Sequence, residues 1–124
     1  VVKALNERGL VERAARMGKV LDDRLRAAFG QHPHVGDIRG RGMFRAIELV
    51  EDRDTKAPFD PGRKIAQRIK AGAMQEGLIV YPASGTVNGK DGDHVLLAPP
   101  FVIEEDEIDL LVTRLGAALA HAGI

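Results

Sequence analysis

Lysines, histidines, a serine beside glycine and a run of acids are the side chains with the means to do chemistry in this sequence. A Schiff-base lysine needs a partly desolvated setting that lowers its pKa. Lys3, Lys19, Lys56, Lys64, Lys70 and Lys90 fall on charged helix faces or in polar loops, and none offers that setting. His32 and His34 have an alternating spacing that could suit a metal. Pro33 separates them, however, and no cysteine or carboxylate partner is near, so a surface turn is expected there, as at His121. His94, beside Asp93 at a strand start, is a better functional candidate, with a structural role still the expectation. Glu104–Glu107 could pass for a cation site, but adjacent helical residues point outwards in different directions while such sites need converging oxygens. Ala83-Ser84-Gly85 lacks the preceding glycine of a serine-hydrolase elbow. Gly40-Arg41-Gly42 begins like a dinucleotide fingerprint, yet Arg45 stands where the third glycine belongs and a strand follows instead of a helix. Those glycines are read as turn residues free to take positive backbone angles. With no cysteine in the chain, disulfides, thiolate metal sites and a cysteine nucleophile are also absent. By residue chemistry alone, the chain lacks a catalytic centre.

The elements that would carry these residues follow from apolar spacing. Leu10, Ala14, Met17, Leu21, Leu25 and Ala28 step by three or four residues, which predicts a helix over residues 10–29 capped by Gly30. Val35–Arg39 and Met43–Val50 have strand-like density of bulky apolar residues, joined by a bend at Gly40-Arg41-Gly42. Asp60-Pro61 has the chemistry of a helix start, with Ile65, Ile69 and Ala73 as the buried stripe and Gly77 as the stop. Leu78–Tyr81 is expected to be a short strand halted by Pro82, Ser84–Asp93 a loop, and His94–Ala98 a strand ended by Pro99-Pro100. Ile108, Leu111, Val112, Leu115 and Leu119 line a last helix over about 104–120, whose acidic first turn complements the helix dipole. The order predicts an α+β domain: a mainly antiparallel sheet of three to four strands with helices on one side.

A chain of 124 residues fits one domain, and its 44% apolar and 29% charged residues are those of an ordinary globular one. Eighteen basic residues balance eighteen acidic ones, so there is no electrostatic reason to expect nucleic acid or an acidic membrane as partner. No apolar run approaches the roughly 20 residues that span a bilayer, and no signal sequence is evident. A cytoplasmic location is expected. Val1–Leu5 reads as the tail of a helix begun earlier, so a piece of a larger protein is also expected.

Three linked stretches carry a resemblance. Gly36-Asp37-Ile38-Arg39-Gly40-Arg41-Gly42-Met43-Phe44, continuing to Ile47-Glu48-Leu49-Val50, resembles the "RGxG, large apolar, IEL" signature of class III aminotransferases. Glu76–Pro82 is similar to their "GL, two apolar residues, x, P" strand. Asp93-His94-Val95-Leu96-Leu97-Ala98-Pro99-Pro100-Phe101, followed by acids and Ile108-Asp109, matches their "APP, apolar, x-I, acidic helix" ending. The three occur in order and with compatible spacing.

The resemblance implies that residues 1–8 are the tail of an interdomain helix and residues 9–124 the C-terminal small domain of such an enzyme. It implies transamination of small-molecule amine and keto substrates in a homodimer. The pyridoxal 5'-phosphate and its lysine would be held by a large domain of the same chain, upstream, which accounts for the missing centre. Family members with carboxylate-bearing substrates often place an arginine two residues before the alanine of "APP", or before the proline of the "GL…P" strand. Here those substrate-binding positions are Leu96 and Tyr81, so the bidentate clamp is absent at both. Leu96 implies an apolar pocket wall, and Tyr81 a hydroxyl donor or stacking surface. Arg39 and Arg41 are read as ion-paired structural residues near the domain interface. Two alternatives remain: a free-standing α+β binding or regulatory module, and a dimerisation domain without catalysis.

Overall fold

The computed structural model describes residues 9–78, 80–85, 89–100 and 103–124. The expected helical tail, Ile79, part of the 84–93 loop and Phe101 lie outside the described residues. Helix α1 is Leu10–Phe29, and strands β1 (Val35–Arg41) and β2 (Phe44–Leu49) form a hairpin. A 3-10 turn at Pro61–Arg63 leads into helix α2 (Ile65–Gln75). Strands β3 (Tyr81–Ser84) and β4 (Asp93–Leu97) and helix α3 (Glu105–His121) follow. The sheet is antiparallel throughout, in the order β1-β2-β4-β3. The α+β architecture is therefore as the sequence predicts.

Period-two alternation decides which face of the sheet is covered. Ile38, Ile47, Leu49, Val95 and Leu97 are buried and join Met17, Leu21 and Leu25 of α1, Ile65 and Ile69 of α2, and Ile108, Leu115 and Leu119 of α3 in one core. The helices lie on that side. The stripe of α1 ends on buried Phe29, whereas Ala28 is exposed: a phenyl ring at the last position buries more apolar surface than a methyl. The side chain of Leu10 lies outside the described residues.

Several boundaries differ from the sequence reading: β1 runs on through Gly40 and Arg41 so that the turn is Gly42-Met43, and the strand expected at Leu78–Tyr81 is instead Tyr81–Ser84. Pro82 lies within β3 rather than ending a strand at Tyr81, and its partner is Val95. Since β3 is the edge of the sheet, the donor that proline lacks is needed on only one side. Asp60 does cap a turn, accepting from the Gly62 N–H at 2.8 Å, but Lys64 then takes a left-handed conformation (φ 52°) and α2 starts afresh at Ile65. Lys64 gives α2 no side-chain cap. The buried Asp93, at the start of β4, instead accepts from the Ala66 N–H at 3.3 Å.

Helix ends are closed by backbone. At the end of α2, Leu78 N–H donates to Ala73 O (2.8 Å) and Gly77 N–H to Met74 O (3.2 Å), with Gly77 at φ 72°. At the end of α3, Ile124 donates to Leu119 O (3.1 Å) and Gly123 to Ala120 O (3.0 Å). Both are Schellman motifs, which need a left-handed residue and so favour glycine. Gly30 is different: it stays right-handed while its N–H donates to Arg26 O at 2.8 Å. The start of α3 is a capping box, in which Glu107 accepts from the Glu104 N–H at 3.1 Å.

Arg45 fastens α1 to the β1–β2 turn. Its guanidinium donates to the carbonyls of Gly42 (3.0 Å), Gly40 (3.2 Å) and Gly18 (3.2 Å) and pairs with Asp22 at 3.3 Å. The helix and turn approach so closely that a Cβ on Gly18 would lie 2.4 Å from Gly42 O. Helix propensity favours alanine over glycine by about 1 kcal/mol, but the obstructing atom is backbone and cannot swing aside. Gly18→Ala is therefore expected to destabilise the fold by about 1–3 kcal/mol, read as a lower denaturation midpoint. A stabilised variant would refute the close contact.

Burial raises the Asp93 carboxyl pKa above its ordinary 3.8, against the Ala66 N–H and the nearby His94, which favour ionisation. The unfolded chain thus ionises first as pH rises. The contribution of this group to stability is full below the ordinary value and is lost as pH climbs through the raised one. Asp93→Asn keeps an acceptor for Ala66 and carries no charge. It is expected to be at least as stable as the parent at neutral pH and to lose this part of the decline in stability above about pH 4. Urea titrations at several pH values measure both, and an unchanged pH slope would contradict the assignment.

Candidate functional site on the open face of the sheet

The face turned away from the helices has a definite register. Arg39 lies opposite Ala46, Ala46 opposite Leu96, and Leu96 opposite Tyr81, so one row crosses all four strands. A second row contains Glu48, His94 and Ala83, and a third the pair Arg41 and Phe44. Directly opposed residues have Cβ atoms roughly 4.5–5.5 Å apart. Leu96 and Tyr81, fifteen positions apart in the chain, are thus neighbours.

The surface is part apolar and part cationic. Phe44 is 55% exposed and Tyr81 59% exposed, while Leu96 is half-buried. Arg39, Arg41, Phe44, Ala46, His94 and Leu96 border a groove of about 590 Å³. Tyr81 stands on the edge strand and borders a separate depression with Pro99, Pro100 and Ile103. Arg39 pairs with Glu48 (3.0 Å) and Asp37 (3.3 Å), as the sequence reading holds. Arg41 departs from that reading, for it has no ion pair among the described residues. The reason is competition: Asp37 and Glu48, the acids on its own strand and on β2, are both held by Arg39. His94 Nδ1 is buried without a hydrogen-bond partner among the described residues.

The remaining candidates resolve as structure. His32 Nδ1 accepts from the His34 N–H at 3.0 Å, and His34 Nδ1 lies 3.1 Å from Val50 O. Burial, then the neighbouring His34, lowers the His32 pKa, which suits a ring that accepts through a lone pair. His121 pairs with Glu76 at 3.2 Å. Glu104 pairs with Arg13 of α1 at 3.0 Å. Among the described residues, no group of three His, Cys, Asp or Glu could hold a metal. One residue with a large structural role, Arg45, escaped the sequence reading. Arg45 was noted only as an interruption of a glycine pattern, and no local signal marks an arginine whose partners lie 23 and 27 positions away.

The family model for class-III aminotransferases matches residues 1–119. The chain belongs to the class III aminotransferase family. It is 47% identical over 110 residues to an uncharacterized aminotransferase of Schizosaccharomyces pombe, a match covering 89% of this chain and 24% of that protein. The fold is similar to an aminotransferase of Bacillus anthracis, with TM-score 0.83, 36% identity, and coverage of 95% of this chain and 26% of the other. It is also similar to the omega transaminase of Pseudomonas jessenii in complex with PMP, with TM-score 0.80, 35% identity, and coverage of 97% and 24%. The chain thus spans about a quarter of the length of the relatives it matches.

A pyridoxal cofactor needs a lysine in a desolvated seat. Lys19, Lys56, Lys64, Lys70 and Lys90 are all exposed, and none borders the grooves of the open face; Lys3 lies outside the described residues. The described residues of this chain therefore do not fit the covalent seat of that cofactor.

Leu96 and Leu97 test the assignment of the two faces. Leu97, 2% exposed, points into the core, while Leu96 points into the groove. Leu96→Arg is expected to cost within about 1 kcal/mol, whereas Leu97→Arg buries an unpaired charge and should cost about 4 kcal/mol or more. Thermal unfolding followed by circular dichroism compares them, and equal damage from both would reverse the assignment.

Proposed function

We propose that this chain is the small domain of a class III, pyridoxal-phosphate-dependent aminotransferase, with residues 9–124 forming the domain and residues 1–8 the tail of an interdomain helix. In this reading a large domain of the same chain holds the cofactor and its lysine, and the open face of the sheet roofs the site in a homodimer. Tyr81 and Leu96 are its substrate-facing residues. The enzyme moves an amino group from an amine or amino-acid donor to a keto or aldehyde acceptor, and works in the cytoplasm. No helix among the described residues is long and apolar enough to cross a membrane.

The observation that supports this reading most is the pairing of family membership over nearly the whole chain with a face that carries an open groove and, among the described residues, no candidate lysine. Such a face contributes by shape and charge. Leu96 supplies apolar wall where an arginine would grip a carboxylate, so the proposed substrates have no second carboxylate at that point. Borohydride reduction of the complete protein with its cofactor, followed by peptide mapping, is expected to label one lysine outside residues 1–124. A labelled lysine within them would overturn the reading.

A further inference from the structure

Arginine engagement across this domain is nearly uniform on the side of the hairpin. Arg39 holds Asp37 and Glu48, Arg45 holds Asp22 and three carbonyls, and Arg26 holds Asp22 at 2.9 Å and Ile38 O at 2.8 Å. Arg41 is the exception on the open face. Arg41 is exposed, it borders the groove lined by Phe44, Ala46 and Leu96, and the acids of β1 and β2, Asp37 and Glu48, are both held by Arg39. A second groove, bordered by Arg41, Phe44, Ala98 and Pro99, is also lined mainly by apolar surface.

We propose that Arg41 is an anion-recognising residue of the substrate site, receiving the carboxylate of a monocarboxylate whose apolar body lies along Phe44, Ala46 and Leu96. Arg41 is exposed in the free groove, and its pairing with a carboxylate strengthens once the ligand's apolar body displaces water beside it and lowers the local dielectric. Its planar fork matches both carboxylate oxygens. The apolar floor favours a hydrocarbon body and gives a second charged group no partner, since Arg39 is neutralised by two acids. The inference rests on the aminotransferase reading for the claim that this face looks into an active site. It narrows that reading to substrates with one carboxylate, held by β1 and not by β3 or β4.

Calorimetric titration of the complete protein with hexanoate and with neutral hexanamide tests this without turnover. Hexanoate is expected to bind more tightly than hexanamide. Arg41→Gln should weaken hexanoate by about 10- to 100-fold and leave hexanamide within about twofold, with Arg41→Lys falling between. Because Arg41 is exposed, the variant should keep the parent's thermal midpoint. Unchanged hexanoate affinity in Arg41→Gln would overturn the proposal, as would equal weakening of both ligands. So would a lowered midpoint with hexanoate binding intact, the signature of a carboxylate supplied by another part of the protein. If the hexanoate arm holds while no transamination is found, the subsite stands and the aminotransferase reading falls.

Discussion

The contact between α1 and the β1–β2 turn sets the geometry of everything else, and Arg45 makes it. A guanidinium has five donors in a fixed plane, and here they reach Gly18 O on the helix and Gly40 O and Gly42 O on the turn, with Asp22 supplying the counter-charge. Removing the arginine would strand the part-buried carbonyls of Gly18 and Gly42, so helix and hairpin have one favourable arrangement. The glycines follow from the arginine. Gly18 lets the helix reach the turn, and Gly40 adopts φ 144° where a Cβ would lie 2.1 Å from Phe44 O. With the hairpin held this way, Ile38, Ile47 and Leu49 face the helices, and Arg39, Phe44 and Ala46 must face away.

The same economy operates at the far side of the sheet. Lys64 cannot cap α2, and the carboxylate that does so comes from Asp93 on β4, so the helix start and the strand start are tied together. Gly72 allows α2 to approach α3, for a Cβ there would lie 2.8 Å from the His121 Cβ. Arg13 donates to Ile103 O at 2.7 Å and Arg24 pairs with Asp109 at 2.8 Å, joining α1 to the segment before α3 and to α3 itself. Surface pairs of this kind contribute little stability, about 1 kcal/mol or less each. Their effect is to fix orientation, which leaves one sheet face open.

Local signals made most of this legible. The apolar period of α1 places its ends at Leu10 and Phe29, and the acidic turn before Ile108 starts α3, while the bend expected at Gly40-Arg41-Gly42 narrows to Gly42-Met43 because Gly40 and Arg41 pair within the hairpin. The failures share a cause, since each depends on something distant in sequence. Pro82 reads as a strand stop until β3 is known to be an edge. Asp60-Pro61 reads as the start of α2 until the distant cap from Asp93 is seen. Arg41 reads as ion-paired until the pairing register shows Arg39 taking both acids. At the site, the resemblance supplied Tyr81 and Leu96 as positions, but only the backbone shows them side by side.

In the proposed reading, that adjacency lets one specificity device occupy either of two places in the sequence. Tyr81 on β3 and Leu96 on β4 are opposed in the antiparallel register, so side chains from either strand reach the same patch of the open face. An arginine at one position or the other would therefore present its guanidinium to nearly the same point. On that proposed reading, the two positions form one subsite approached from two strands. Leaving both without an arginine is then a single chemical decision, to keep that patch free of positive charge. The consequence extends along the row, because Leu96 also faces Ala46, and Ala46 faces Arg39. Charged groups gather towards β1, where Arg39 is balanced by Asp37 and Glu48 and Arg41 is not, while the β3–β4 end offers a leucine and a phenol. Any ligand lying across these strands meets that gradient, and its orientation is set by which of its ends carries the charge.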